Sequence, residues 1–173
     1  MRIIGITGWS GAGKTHLIIK LIPLLRAQGL AVSTLKHAHH GFDVDVPGKD
    51  SHQHRQAGAT EVLVSSGRRF ALMHELNGEA EWTLPALLNK MSPVDLVLIE
   101  GFKRYPHPKI EVFRPANGKS PLYPADASIR AIAADCPLPD AGRPVYHLDD
   151  LGELASAVQR FAVPWRGAFG EGG

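Results

Sequence analysis

Gly8-Trp9-Ser10-Gly11-Ala12-Gly13-Lys14-Thr15 matches the pattern G-x-x-x-x-G-K-[ST] at every position. The chemistry requires this order. Glycines let successive backbone N–H groups curl around phosphate oxygens, and a helix opening at the lysine adds positive potential there. Lys14 then reaches the β- and γ-phosphates of a nucleoside triphosphate, while the Thr15 hydroxyl is placed to ligate Mg2+. Nucleotide contact is therefore expected along Gly8, Trp9, Ser10, Gly11, Ala12, Gly13, Lys14, Thr15 and His16. At His16 such loops often carry Ser or Thr for the α-phosphate, so that contact departs from the pattern. A second element, Val94-Asp95-Leu96-Val97-Leu98-Ile99-Glu100-Gly101, reads as a buried strand ending in a carboxylate. Glu100 is placed either to hold Mg2+ through water or to polarise an attacking water, the plainer alternative being a surface Glu after a core strand. Asp95 is expected to open the strand at its solvent edge.

Other groups cluster along the chain. Lys36-His37-Ala38-His39-His40 suits an active-site loop facing phosphate or a partner; metal binding and plain surface histidines remain alternatives. The loop from Gly41 to Asp50 carries the first carboxylates of the chain, and Asp43, Asp45 and Asp50 stand where a switch-like loop would approach a γ-phosphate and its metal. Asp50, read as catalytic, serves equally well as a helix N-cap. After Glu100, the segment Gly101-Phe102-Lys103-Arg104-Tyr105-Pro106-His107-Pro108-Lys109 has the cations and aromatics to bind a phosphorylated or heteroaromatic ligand, or is a solvated loop; Lys103 is the phosphate-facing candidate. Asp135 ends a late strand on the edge where open α/β sheets bind ligands. Its carboxylate can accept from guanine N1–H and N2–H2, a donor pair that adenine lacks.

These residues need elements to position them. Short β-branched runs predict strands at 3–7, 31–35, 61–64, 70–75, 95–99, 110–113, 129–133 and 145–148. Helical patterns cover 14–28, 51–58, 83–90 and 149–161, with Pro23 inside the first and Asp149-Asp150 capping the last. Such alternation implies an α/β fold with a mostly parallel sheet flanked by helices. The adjacent strands near Val64 and Phe70 predict a hairpin, which would make the sheet mixed. One phosphate-loop domain is expected over 1–165, with a flexible tail at 166–173.

Composition fits this reading. The 173 residues are 44% hydrophobic and 21% charged, an ordinary globular balance. With 19 Lys and Arg against 17 Asp and Glu, a net charge of +2 gives no warrant for nucleic acid or a membrane surface. The distribution is more telling: no acid occurs before Asp43, whereas Arg2, Lys14, Lys20, Arg26 and Lys36 do. A lone cysteine, Cys136, and the lack of a long apolar run point to the cytoplasm.

Taken in order, the Trp9–Thr15 loop, Lys36-His37-Ala38-His39-His40, Asp45-Val46-Pro47-Gly48-Lys49-Asp50-Ser51, Ala57-Gly58-Ala59, Leu98-Ile99-Glu100-Gly101-Phe102-Lys103 and Ala134-Asp135 resemble the MobB family. These are adapter proteins of molybdopterin-guanine dinucleotide biosynthesis. The likeness runs from Ile3 to about Phe161, with Ala38 standing where Thr is expected. It implies a P-loop NTPase fold, GTP and Mg2+ binding with weak hydrolysis, and homodimerisation. It also implies help to the guanylyltransferase that joins GMP to molybdopterin. Two other functions compete on the residues alone: a small-molecule kinase, and a nickel- or cobalt-delivery GTPase using His37–His40.

Overall fold

The computed structural model describes residues 1–38 and 41–169. In chain order the elements are β1 (Arg2–Thr7), α1 (Lys14–Ala27), β2 (Val32–Lys36), α2 (Asp50–Gln56), β3 (Glu61–Ser65), β4 (Phe70–His74), α3 (Leu84–Lys90), β5 (Leu96–Glu100), β6 (Lys109–Phe113), β7 (Ile129–Ala134), β8 (Val145–His147), α4 (Leu151–Phe161) and β9 (Val163–Pro164). Every strand and helix expected from the sequence is present, with ends shifted by a residue or two. β9 is an addition.

Two compact units form, one from Met1–His37 with the chain from Leu84 onward, the other Ala38–Thr83. The second lies within the span read as a single domain. In the first, strands run in the order β2-β5-β1-β6-β7-β8, all neighbours parallel. The strands are apolar on both faces because helices cover both. Ile4, Ile6, Leu96, Leu98, Ile110 and Val112 face α1 and α4, whereas Ile3, Val97 and Ile99 face α3. Asp150 starts α4 as its cap, its side chain accepting from Glu153 N–H at 3.2 Å. Asp95 precedes β5, as expected, and accepts from Ala31 N–H at 2.8 Å.

One expectation is corrected. The β3-β4 hairpin is antiparallel but forms a sheet of its own, so it does not make the large sheet mixed. The antiparallel contact there comes from β9, which pairs with Arg2 and Ile3. It can do so because β6 pairs only with Gly5–Thr7, leaving the start of β1 open on that side. Of the expected tail, residues to Phe169 are described; Ala168 and Phe169 pack against the α3 side of the core.

Candidate functional site

Seen from the sheet, the loop after β1 begins with a close approach. Gly8 has φ 138°, and a Cβ there would lie 2.4 Å from the Val112 carbonyl oxygen, so only glycine fits. The chain then turns through Gly13 in the left-handed region into α1, whose first turn carries no acid. That leaves the helix N-terminus unopposed as an anion site. Lys14 Nζ lies back over the loop and donates to the Trp9 carbonyl at 2.9 Å. Burial lowers the Lys14 pKa; Glu100 raises it, and Lys103 and Lys36 lower it. Lys36 and Lys103 thus gather beside Lys14 with a carboxylate among them.

That carboxylate is Glu100, at the end of β5 and 9% exposed. The Thr15 hydroxyl lies 2.9 and 3.0 Å from its two oxygens, and Lys36 Nζ lies 3.6 Å from one of them. Parallel pairing of β2, β5 and β1 brings Lys36, Glu100 and the phosphate loop to one sheet edge. Hydroxyl and carboxylate oxygens are the hard donors that suit Mg2+. Beyond Glu100 the chain turns at Gly101, where φ is 96° and a Cβ would meet the His37 Cβ at 2.9 Å. His37 N–H donates to the Glu100 carbonyl, and its ring lies 4.9 Å from Phe102. Lys103 Nζ sits 4.5 Å from the centre of the Trp9 ring. Trp9, Ser10, Thr15 and His16 are exposed.

The sequence-predicted residues therefore divide. Gly8–His16, Glu100, Lys36, His37, Lys103 and Asp135 belong to the first unit. Asp50 belongs to the second, as the first residue of α2, with Lys49 at the N-cap and no side-chain cap there. Asp43 and Asp45 are bound by Arg55, each at 2.7 Å, and Glu75 is held by the same guanidinium at 2.7 Å. His39 and His40 lie outside the described residues. Among the described residues no cluster of three or more His, Cys, Asp or Glu side chains is arranged to hold a metal ion. The basic segment after Glu100 is not uniformly a solvated loop or a ligand surface. Lys109 is fully buried, donating to the Tyr105 carbonyl and the Ser128 hydroxyl, and His107 is fully buried with no hydrogen-bond partner on either ring nitrogen.

Several residues that the sequence reading passed over meet the phosphate loop. Arg114 Nε donates to the Ala12 carbonyl at 3.1 Å, and its Nη1 donates to Asp135 Oδ2 at 2.8 Å. Asn117 Nδ2 donates to the Ser10 carbonyl at 3.4 Å, and Trp9 Nε1 donates to the Ser120 carbonyl at 2.7 Å. Fully buried Glu111 accepts from Leu122 and Tyr123 N–H, at 2.7 and 2.8 Å. Burial pushes its pKa up against the pull of those two donors. The signal lay in Arg114 following a strand directly, but its meaning depended on that strand neighbouring β1.

The family model for molybdopterin guanine dinucleotide synthesis protein B (MobB) matches residues 3–135. The molybdopterin-guanine dinucleotide biosynthesis adapter protein of Escherichia coli is 41% identical over 94% of this chain and 92% of its own. The adapter protein of the same name from Haemophilus influenzae is 37% identical over 96% and 92%. Among solved structures, Bacillus subtilis MobB superposes with a TM-score of 0.73 at 26% identity, covering 94% of this chain and 99% of its own.

Proposed function

Since the chain belongs to the MobB family, we propose that it is a GTP-binding adapter for molybdopterin guanine dinucleotide biosynthesis. The observation that carries the nucleotide part is Thr15 hydrogen-bonded to Glu100 beside Lys14. Lys14 would exchange the Trp9 carbonyl for the phosphates of a bound nucleotide, and Thr15 and Glu100 would hold Mg2+. The ion would supply charge neutralisation at the phosphate oxygens. Asp135 reads the guanine edge. Hydrolysis is weak on this reading, because Glu100 is engaged by Thr15 and faces Lys36 rather than standing ready for water.

Lys36, His37 and Lys103 face the γ-phosphate side. There a guanylyltransferase or a molybdopterin phosphate would dock. The exposed Phe70 and Leu72 of β4, at 71% and 52%, support a homodimer. Among the described residues no helix is long and apolar enough to cross a membrane, which accords with a cytoplasmic adapter.

Titration calorimetry with Mg·GTP tests the site. Lys14→Ala should abolish binding while circular dichroism stays unchanged; retained affinity would overturn the assignment. A wild-type preference for ATP would overturn the guanine reading, and repeating the titration with the guanylyltransferase present tests the adapter role.

A further inference from the structure

Arg114 makes two unlike contacts with one planar group. Its Nε donates to a carbonyl inside the phosphate loop, and its Nη1 donates to the carboxylate of Asp135. Arg114 and its two partners sit on loops that leave neighbouring strands, since β1, β6 and β7 are adjacent, the phosphate loop follows β1, and Arg114 and Asp135 directly follow β6 and β7. A guanidinium can span them because its donors are fixed in a fork; the single ammonium of lysine cannot serve both. The backbone that carries Arg114 is itself anchored. Asn117 and Ser120 meet the phosphate loop, and buried Glu111 holds the N–H groups of Leu122 and Tyr123 at the far end.

We propose that Arg114 is a positioning residue for base selection, holding Asp135 in register with the phosphate loop. This rests on the guanine-nucleotide reading of the site. Guanine offers N1–H and N2–H2 side by side, so both carboxylate oxygens must face it at once. Arg114 takes one lone pair of Oδ2 and fixes the rotation of the carboxylate. Oδ1 and the second lone pair of Oδ2 remain for the base. Adenine instead presents the N1 lone pair to the carboxylate, and a carboxylate that cannot turn away makes that encounter repulsive. A freely rotating Asp135 would accommodate adenine at little cost. The second contact, to Ala12, sets the spacing between the base reader and the phosphates.

The test is calorimetry of Mg·GTP, Mg·ATP and Mg·tripolyphosphate on the full chain, for wild type, Arg114→Lys, Asp135→Ala and the double variant. Arg114→Gln, which keeps a planar donor of shorter reach, is measured alongside in case the lysine variant folds poorly. Arg114→Lys keeps the charge, so tripolyphosphate affinity should stay within about twofold. GTP affinity should fall about 10-fold or more, with the GTP-to-ATP ratio collapsing toward that of Asp135→Ala. The double variant should lose little beyond either single one, because the two residues act as a unit. An equal loss of GTP and tripolyphosphate affinity overturns the proposal and leaves Arg114 a support for the loop. So does an unchanged GTP-to-ATP ratio in a variant whose wild type prefers GTP. A wild type without guanine preference overturns the base reading itself, and the proposal with it.

Discussion

The large sheet and the 38–83 unit are held together by opposite means. All residues of β5 and β6 are buried, and helices cover both faces of the sheet they belong to. In the hairpin, Val62 is the one buried residue, and Leu63, Val64, Phe70 and Leu72 are exposed. A two-stranded hairpin is marginal by its own hydrogen bonds. The charged fork of Arg55 on Asp43, Asp45 and Glu75 supplies tertiary contact in this unit. On the proposed reading, phosphate recognition needs donors fixed to fractions of an ångström, and the candidate residues stand at the ends of buried strands. The Arg55 and Asp45 side chains are largely covered, at 11% and 8% exposure, whereas Asp43 and Glu75 reach solvent, where salt screens the pairing.

The sharpest way to break this contrast is to remove one leucine from each region. Leu98→Ala in β5 should cost about 2–5 kcal/mol in urea unfolding, since a buried site loses both transfer energy and packing. Leu72→Ala, at 52% exposure, should leave unfolding within about 0.5 kcal/mol and act instead on self-association, read by sedimentation equilibrium. Equal costs would show that the hairpin is as tightly packed as the sheet.

Acid separates the two regions next. Burial pushes the His107 pKa down to about 4, aided by the nearby Lys109 cation. Unfolded, the imidazole titrates near 6.5. Between these values the unfolded chain takes up a proton that the native one refuses. Stability therefore falls as pH drops from about 6.5 toward 4, by up to ~3 kcal/mol, and this contribution levels off below that. His107→Leu should flatten this part of the profile in pH-dependent denaturant melts. A slope that persists in the variant places the titrating group elsewhere.

The smallest effect is local to the 38–83 unit. The Arg55 hydrogen bonds hold Asp45 below the usual carboxylate range and push Arg55 itself up. The contribution of Asp45 is complete above its ordinary value and is lost as pH falls through the depressed one, hence below about pH 4. Pepsin should then cut within 41–75 before it cuts the large sheet. Arg55→Met should admit trypsin to the same segment at neutral pH with no change in Mg·GTP binding. Weakened GTP binding in that variant would mean that the two units are energetically coupled.

Much of the fold was legible because its signals are local. Gly8, Gly13, Lys14 and Thr15 declare a phosphate loop by spacing alone, and the apolar run ending at Glu100 declares a buried strand with a carboxylate at its tip. The hairpin was also legible, but not its separation from the main sheet, because a turn pairs two strands without saying what lies on their outer edges. Asp43 and Asp45 were read toward a metal because acids are chemically general; Arg55, ten positions from Asp45, claims both. His107 and Lys109 were read within a segment that either binds a ligand or is solvated, and their full burial fits neither reading.

The sequence by itself determined the elements, the phosphate loop and the family, since the first two rest on neighbouring residues and the third on the order of several short runs along the chain. Thr15 and Glu100 were expected around one metal from the sequence, and the fold brings them to 2.9 Å across 85 positions; tertiary structure alone decided that Arg114 joins Ala12 to Asp135. Those meetings depend on strand order. Hydrophobic periodicity says that a strand is buried but not which strand lies beside it.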